Sequence, residues 1–300
     1  DEQGWQREEP VAWPINDFCK PVPQRVTVDI ENRTVHVAAW QFRVRGESGG
    51  EVSVYLLDTD LPENQPWDRT LTDLLYGGDE YYRLCQEIVL GFGGYRMLQA
   101  LGYGHLRRLH MNEGHAALLV LALLEEKLAS RSHEQGVPVD LIDAVREQCV
   151  FTTHTPVPAG HDQFPPELAH RVLGDRRCAW LKACGHDQSL NMTELALHGS
   201  RFVNGVAMKH GEVSHNLFPG YPIHSITNGV HAVTWAAPSF QTLYDRYLPD
   251  WRRDQLSLRY AISVPGEEIW KAHQEAKRLL VEHVNHETNA GFDRDVLTLG

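Results

Sequence analysis

CVFTTHTPVPAGHDQF, at residues 149–164, is the stretch that decides the fold. Residues 149–153 are apolar or β-branched and predict a buried strand. The prolines and the glycine of residues 156–160 cannot continue a sheet, so His154 and Thr155 lie at the carboxyl end of this strand. Ligands of open α/β sheets bind at that edge, which makes these two side chains the first candidates for a functional site.

Helices alternate with short strands on both sides of this stretch. Before it, residues 105–111 predict a strand, Asn112 is placed to cap the helix that follows, and residues 138–147 predict a second helix. After it, Asn191 is placed to cap a helix and residues 201–203 predict another strand. The alternation predicts an α/β fold with a parallel sheet flanked by helices.

Antiparallel strands are predicted near the start of the chain. Residues 25–30 and 33–42 alternate apolar and polar side chains around Glu31-Asn32, which is typical of a β-hairpin, and residues 51–57 predict a further strand. The segment from Asp79 to Leu101 then has the apolar periodicity of a helix. Its GFGGYR sequence resembles a phosphate-binding loop, but it lies within the helical pattern, so the glycines favour close helix packing.

The last part of the chain predicts three elements. Residues 222–227 have the composition of a strand, and Gly266 to Asn289 form a long, charged, amphipathic helix. DVLTL, at residues 295–299, predicts the beginning of a new strand. Because the chain starts at Asp1 without a methionine and ends at Gly300 inside that pattern, we expect it to be a piece of a longer protein.

Composition excludes several classes of protein. The 300 residues are 42% hydrophobic and can fill a substantial core, and a formal net charge of -12 disfavours a nucleic-acid partner. The longest apolar run, residues 116–124, is far below the ~20 residues that a membrane span needs, so no membrane association is expected. Five scattered cysteines without a CxxC pair favour reduced thiols and a cytoplasmic location.

Polar residues collect at the predicted carboxyl ends of the strands. Several converging Asn and His side chains can bind the hydroxyl groups of a neutral, polyhydroxylated ligand such as a sugar. For Asn112 and Asn204 alone, helix capping is the simpler interpretation. The residues in question are Asn112, Glu113, His115, His154, Thr155, Asn204, Asn228 and His231.

Two other motifs suggest chemistry but fail on spacing or context. HMNEGH, with His110, Glu113 and His115, matches neither the HExxH nor the HxxEH arrangement of zinc proteases, so no metal site is predicted. His161 and Asp162 could form an acid/base dyad, yet a loop pair that stabilises the turn explains them equally well.

Five ordered motifs resemble the α-glucan (glycogen or maltodextrin) phosphorylase family in its bacterial and archaeal branch. They are YGGDEYYRLCQEIVLGFGG, HMNEGHAALL, VFTTHTPVPAGHD, LALHGSRFVNGVAMKHGEVS and ITNGVHAVTW. The resemblance implies a GT-B glycosyltransferase architecture of two Rossmann-like domains facing a cleft. Residues 1–290 would then be the later part of the amino-terminal, glucan-binding domain, and residues 291–300 the start of the carboxyl-terminal cofactor domain.

The resemblance also implies an activity and site residues. Inorganic phosphate would cleave the terminal α-1,4-linked glucosyl unit of a glucan or maltodextrin and give glucose 1-phosphate. His154 would be the catalytic residue that contacts the transferred glucosyl unit, and Asn204 would hold the 6-hydroxyl of the same sugar. Glu113 and His115 would line the acceptor-glucan side, and Asp79 would belong to the loop that gates the site.

The resemblance places pyridoxal phosphate in the full-length protein, with its attachment lysine outside this chain and no cofactor-binding residue within it. The 300 residues alone are therefore expected to be inactive, and homo-oligomerisation stays open. Two rival interpretations are a non-catalytic carbohydrate-binding module and a histidine-based metal hydrolase. A cofactor lysine in the full-length sequence separates the first from an enzyme, and metal analysis tests the second.

Overall fold

The apolar residues of the opening stretch form the middle of a parallel sheet. The computed structural model describes residues 14–75, 77–129, 137–183 and 189–299. The strands of these residues are β1 (Lys20–Pro21), β2 (Val26–Ile30), β3 (Arg33–Arg45), β4 (Glu51–Asp58), β5 (Leu109–Asn112), β6 (Cys149–Thr153), β7 (Gln163–Phe164), β8 (Leu190–Asn191), β9 (Phe202–Gly205) and β10 (His224–Ser225). The central sheet has the order β10-β9-β6-β5, and its neighbouring strands are parallel.

Burial of apolar side chains explains why β6 and its neighbours lie in the middle of the central sheet. Phe151 of β6 is opposite Met111 of β5 on one side and Val203 of β9 on the other. The exposed fractions of Phe151 and Met111 are 0%, because helices cover both faces of a parallel sheet. The predicted α/β fold with a helix-flanked parallel sheet is confirmed.

The helices predicted at residues 138–147 and 266–289 and the segment predicted to be helical from Asp79 to Leu101 lie close to those positions. The helices of the described residues are α1 (Ile15–Phe18), α2 (Glu80–Ile88), α3 (Gly94–Ala100), α4 (Leu119–Ala129), α5 (Val139–Arg146), α6 (Pro166–Leu173), α7 (Asp175–Ala183), α8 (Met192–His198), α9 (Met208–Leu217), α10 (Ala232–Trp235), α11 (Pro238–Tyr247) and α12 (Gly266–Thr288). Asn191 caps α8 as predicted, because its side-chain oxygen accepts a hydrogen bond from the Glu194 backbone N–H at 3.1 Å.

The predicted hairpin forms between β2 and β3, and β4 pairs with β3. Glu31 and Asn32 both have positive φ, at 50° and 61°, which is the geometry of a tight two-residue hairpin turn. The antiparallel part of the fold prediction is therefore confirmed.

Glycine allows the helix after Asp79 to pack closely on α4. Between α2 and α3 the helix widens into a π-type turn, Val89–Gly93. A Cβ atom on Gly91 would lie 2.7 Å from the Cβ of Leu118 and 2.9 Å from the backbone nitrogen of Leu119. GFGGYR is therefore a packing element, as predicted, and not a phosphate loop.

Two capping predictions are wrong. Asn112 is the last residue of β5, and the next residue, Glu113, caps the short 3₁₀ turn Gly114–Ala116 that precedes α4. Asn204 lies inside β9, and the residue before α9 is Ala207, which makes no side-chain cap. In both cases the strand continues one or two residues further than expected, since pairing with a buried neighbour outweighs the local preference for a cap.

Strand predictions near the end of the chain are also corrected. Residues 222–227 contribute only the two-residue strand β10, although the backbone N–H groups of Ile226 and Asn228 also donate to the carbonyls of Gly205 and Val206 at 3.0 Å. Residues 295–299 form a turn and irregular backbone among the described residues, so the predicted strand is wrong there. An isolated strand has no sheet partner to stabilise it.

The described residues fall into two compact units. The first comprises the chain up to Val44 and from Val52 to Asn228, and it contains the central sheet. The second comprises Arg45–Glu51 and the chain from Gly229 onward, where Trp251 and Val233 form a small core. The predicted domain boundary at residue 290 stays a prediction. Within the described ranges, every helix is too short or too polar to cross a lipid bilayer.

Candidate functional site

A cavity of about 890 Å³ opens at the carboxyl edge of the central sheet. Its wall is formed by the residues before and within α2, by the turn after β5 and by the loop after β6. The lining includes four of the five residues predicted for the site, namely Asp79, Glu113, His115 and His154. The ends of parallel strands thus meet where the sequence predicted a ligand-binding edge.

Glu113 fixes the backbone at His154. Its carboxylate oxygen Oε2 accepts hydrogen bonds from the His154 backbone N–H at 2.7 Å and from the Thr155 hydroxyl at 2.9 Å. Oε1 accepts from the Gly114 N–H at 3.2 Å and from the Thr153 hydroxyl at 3.4 Å. The carboxylate therefore makes most of its hydrogen bonds inside the protein, and its first effect is to hold the strand end of β6 in one conformation.

Glu113 adopts this position at a conformational cost. Its φ is +69°, in a region that favours glycine, and its side chain is 9% exposed. A strained backbone at a ligand-binding edge persists only when the surrounding contacts determine it, and the hydrogen bonds from residues 153–155 provide them.

His154 and Asn204 have different environments. His154 is exposed at the cavity. Asn204 is 6% exposed and does not belong to the residues that line the cavity. Its Oδ1 accepts from the Thr152 hydroxyl at 3.0 Å, and its Nδ2 donates to the Gly205 carbonyl at 3.2 Å. Asn204 therefore ties β9 to β6 directly beside the strand end that carries His154.

His115 lies in a polar cluster with Arg83 and Asp162. Its Nδ1 is 2.7 Å from a guanidinium nitrogen of Arg83 and 3.2 Å from Oδ2 of Asp162. Arg83 donates two hydrogen bonds to Asp162, at 3.0 and 3.3 Å. Burial opposes ionisation of Asp162, but the contacts with His115 and Arg83 outweigh it and hold the pKa of that carboxyl well below its usual value.

Asp79 ends the loop that enters α2. Its Oδ1 accepts a hydrogen bond from the Tyr82 backbone N–H at 2.9 Å, so Asp79 is the N-cap of α2 and also lines the cavity. The preceding Gly78 has φ +78°, which allows the sharp entry. The gating role that the resemblance implies for this loop stays a prediction.

The side chains of His161 and Asp162 contact different neighbours. Asp162 contacts Arg83 and His115, whereas the Nδ1 of His161 lies 2.8 Å from the Thr193 hydroxyl and its ring packs edge-on against Phe218. Burial lowers the pKa of His161 below its ordinary value. These separate contacts favour the loop interpretation, and the choice between a loop pair and an acid/base dyad stays a prediction.

Sequence reasoning missed Arg83 and Glu87 of α2. Glu87 is 1% exposed, and its Oε1 lies 3.6 Å from Nε of Arg83. A signal was available in their spacing, because an arginine and a glutamate four residues apart lie on the same side of a helix and can interact.

The zinc-like motif does not form a metal site with His110. The Nε2 of His110 instead lies 2.7 Å from the Thr152 hydroxyl. Among the described residues, Glu87, His115 and Asp162 have ligand atoms within 4.8 Å of one another, a spacing that could suit a cation. The guanidinium of Arg83 already lies among them, however, and supplies the positive charge that a metal would bring.

Comparison with known proteins agrees with the geometry. No protein-family model matches the chain. The chain is 37% identical to a maltodextrin phosphorylase of Thermococcus litoralis, in an alignment that covers 95% of this chain and 36% of that protein. It is 34% identical to a glycogen phosphorylase of Mycobacterium tuberculosis, over 94% of this chain and 36% of that protein. A glycogen phosphorylase of Aquifex aeolicus is 31% identical over 86% of this chain and 39% of its own length.

The aligned regions include the motifs and the strand ends that build the cavity, since they cover nearly the whole chain. The chain spans little more than a third of the length of these curated relatives. It is therefore homologous, over nearly its whole length, to a part of the glycogen and maltodextrin phosphorylases of bacteria and archaea.

Proposed function

We propose that this chain forms the glucan-binding side of the active site of an α-glucan phosphorylase. The complete protein would transfer the terminal glucosyl unit of an α-1,4-glucan or maltodextrin to inorganic phosphate. A phosphate oxygen would bond to C1 of that unit, the bond from C1 to the glycosidic oxygen would break, and that oxygen would take up a proton. The products are glucose 1-phosphate and a glucan that is one unit shorter.

The observation that carries the proposal is the cavity at the ends of β5 and β6. Its volume of about 890 Å³ suits a short oligosaccharide, and its wall combines amide and imidazole groups with carboxylates that are already hydrogen-bonded. Such a wall can bind hydroxyl groups without attracting a strongly charged ligand.

Each predicted site residue has a role that fits its position. His154, exposed at the cavity, would contact the transferred glucosyl unit. Glu113 would act on that contact by fixing the His154 backbone, and His115, which also lines the cavity, would contact the acceptor glucan. Asn204 would act indirectly, by holding β9 against β6 through its hydrogen bonds with Thr152 and Gly205. Asp79 would set the position of the entry loop through its cap on α2.

The described residues that line the cavity do not fit pyridoxal phosphate. The cofactor needs a lysine to hold its aldehyde and cations to hold its phosphate, and the residues that line the cavity include no lysine within the described part of the chain. The arginine that lines it, Arg83, is bonded to Asp162. We therefore assign cofactor binding to another part of the complete protein, and we assign no step through the cofactor to this chain.

Buried thiols support a reducing, cytoplasmic environment. Cys19, Cys85, Cys149 and Cys178 are all free and buried. Disulfides form and persist in secreted proteins, whereas the cytosol keeps thiols reduced.

The test is the release of glucose 1-phosphate from maltodextrin and inorganic phosphate by the complete protein. We expect His154→Ala to lower kcat/KM at least tenfold, which corresponds to about 1.4 kcal/mol of lost transition-state stabilisation. His215→Ala, which alters an exposed histidine of α9, is the matched control and should leave the rate unchanged.

Two results would refute the proposal. Saturable glucan binding by the complete wild-type protein without any phosphorolysis would favour a carbohydrate-binding module. Equal rates for the wild type and His154→Ala would show that the cavity is not the reacting site.

A further inference from the structure

Glu87 is a buried acid that the proposed reaction does not use. It lies on the inner face of α2 with 1% of its surface exposed. Neither of its carboxylate oxygens accepts a hydrogen bond from any described residue. Buried carboxylates are normally paired or hydrogen-bonded, so this side chain requires an explanation.

Among the described residues, the permanent positive charge beside the carboxyl groups of Glu87 and Asp162 is the guanidinium of Arg83. Arg83, from the same helix, places Nε 3.6 Å from Oε1 of Glu87, but its hydrogen bonds at 3.0 and 3.3 Å go to Asp162 of the loop after β6. His115, from the turn after β5, has Nδ1 at 4.0 Å from the same Glu87 oxygen. Two ionised carboxylates and one guanidinium would leave an uncompensated negative charge beside a side chain that solvent hardly reaches.

Other charged groups around α2 have different partners. Arg171 of α6 pairs with Glu31 at 3.3 Å, and Arg33 of β3 pairs with Asp68 at 2.7 Å. In the part of the chain that the structure describes, the charged or titratable groups that face Glu87 are Arg83, His115 and Asp162, whose oxygen and nitrogen atoms lie within 4.8 Å of it.

We propose that Glu87 is a neutral carboxylic acid in the native protein, that its proton is directed toward the Asp162 carboxylate, and that this pair is a positioning element for His115 in the cavity wall. A protonated Glu87 becomes a donor toward the Asp162 carboxylate, and it removes the excess charge. Asp162, which stays ionised, then holds Arg83 and His115 together.

The electrostatic environment agrees with this geometry. Burial and, after it, the charge of Asp162 raise the pKa of Glu87 well above its ordinary value. A divalent cation is the alternative way to neutralise the cluster. The proton is favoured because Arg83 already lies among the atoms that would bind a metal.

Infrared spectroscopy of the complete wild-type protein tests the protonation directly, and it does not depend on the proposed function. A protonated carboxylic acid has a carbonyl band well separated from the carboxylate bands. We expect one such band near neutral pH that moves on isotope labelling of glutamate and disappears in Glu87→Gln. The absence of a glutamic acid band would overturn the proposal even if the variants failed to fold.

Stability measurements give a second, independent test. Above the ordinary pKa of a glutamate the unfolded state releases the Glu87 proton while the native state keeps it, so the wild type should lose stability as the pH rises from about 5 to about 7. The amide of Glu87→Gln keeps a neutral donor toward Asp162 and has no such proton to release, so the thermal unfolding midpoint of this variant should fall less over the same range. Glu125→Gln is the matched control, because Glu125 is ion-paired with Arg96 and Arg177 at 3.0 and 3.5 Å and should lose stability at both pH values. If Glu87→Gln loses as much stability as the control at about pH 7, Glu87 is ionised and the proposal is wrong.

The positioning role rests on the proposed function and has its own measurement. Glu87→Ala should raise the KM for maltodextrin at least fivefold through His115, and Glu87→Gln should restore KM to within about twofold of the wild type. An equal increase in both variants would refute the positioning role while leaving phosphorolysis intact. Stoichiometric zinc or manganese in the purified wild-type protein, lost in Glu87→Gln, would show that a cation and not a proton neutralises the cluster.

Discussion

Glu113→Gln should destabilise the strand end that carries His154. The substitution keeps the shape of the side chain and one acceptor oxygen, but it replaces the other oxygen with an NH₂ group. If that group replaces Oε2, it faces the His154 N–H and the Thr155 hydroxyl, which donate at 2.7 and 2.9 Å. The amide will therefore turn its NH₂ toward the longer contacts with Gly114 and Thr153, at 3.2 and 3.4 Å.

The expected cost follows from this inventory. The Thr153 hydroxyl can rotate to accept a hydrogen bond, but the Gly114 N–H cannot, and the two short bonds lose their charge assistance. One lost charged hydrogen bond and two weakened ones correspond to about 2–4 kcal/mol of unfolding free energy. Urea unfolding of the complete protein, followed by fluorescence, measures it.

The control for this variant is Glu147→Gln. Glu147 is exposed and pairs with Arg201 at 2.8 Å on the surface, so its replacement should cost less than about 1 kcal/mol. If Glu113→Gln is as stable as Glu147→Gln, the carboxylate does not hold the strand end and the reasoning fails.

Three further predictions concern the framework of the site. Gly91→Ala should lower the unfolding free energy by about 1–3 kcal/mol, since the new Cβ would lie 2.7 Å from the Leu118 Cβ. Gly104→Ala is the control and should change the unfolding free energy little, because the space around Gly104 is open. Equal urea midpoints for the two variants would contradict the close packing. Burial raises the pKa of Cys85 and Cys149 to about 12, so iodoacetamide should label them only when the protein unfolds, as peptide mass spectrometry would show. Burial lowers the pKa of His161 in the native state, so the unfolded state binds a proton first as the pH falls through about 6.5. The unfolding free energy should therefore decline as the pH falls through that value. His161→Asn should remove part of this decline.

Local patterns in the sequence determined most of the fold. The apolar β-branched run of β6 and the turn at Glu31-Asn32 each predicted an element that the structure contains, because their local preferences agree with their burial. The cap at Asn191 was predictable for the same reason. Strand ends were not predictable to the residue, as Asn112 and Asn204 show, since pairing across the sheet extends strands beyond the local signals.

Contacts between distant segments could not be predicted from single motifs. Glu113 and His154 are 41 positions apart, and Arg83 and Asp162 are 79 apart, so only the folded chain brings them together. Local patterns identified the polar residues of the cavity edge but not which of them bond to one another. Glu113 and Asn204 are examples, because their side chains make hydrogen bonds within the protein that could not be predicted from the sequence.

The most direct measurement of the central claim is a crystal structure of the complete protein with a bound maltooligosaccharide. The claim is that the cavity between α2 and the ends of β5 and β6 is the glucan site. We expect a glucosyl unit in this cavity with a hydroxyl oxygen within about 3.2 Å of a polar atom of His154. A well-ordered oligosaccharide bound elsewhere, with the cavity at His154 empty, would contradict the account.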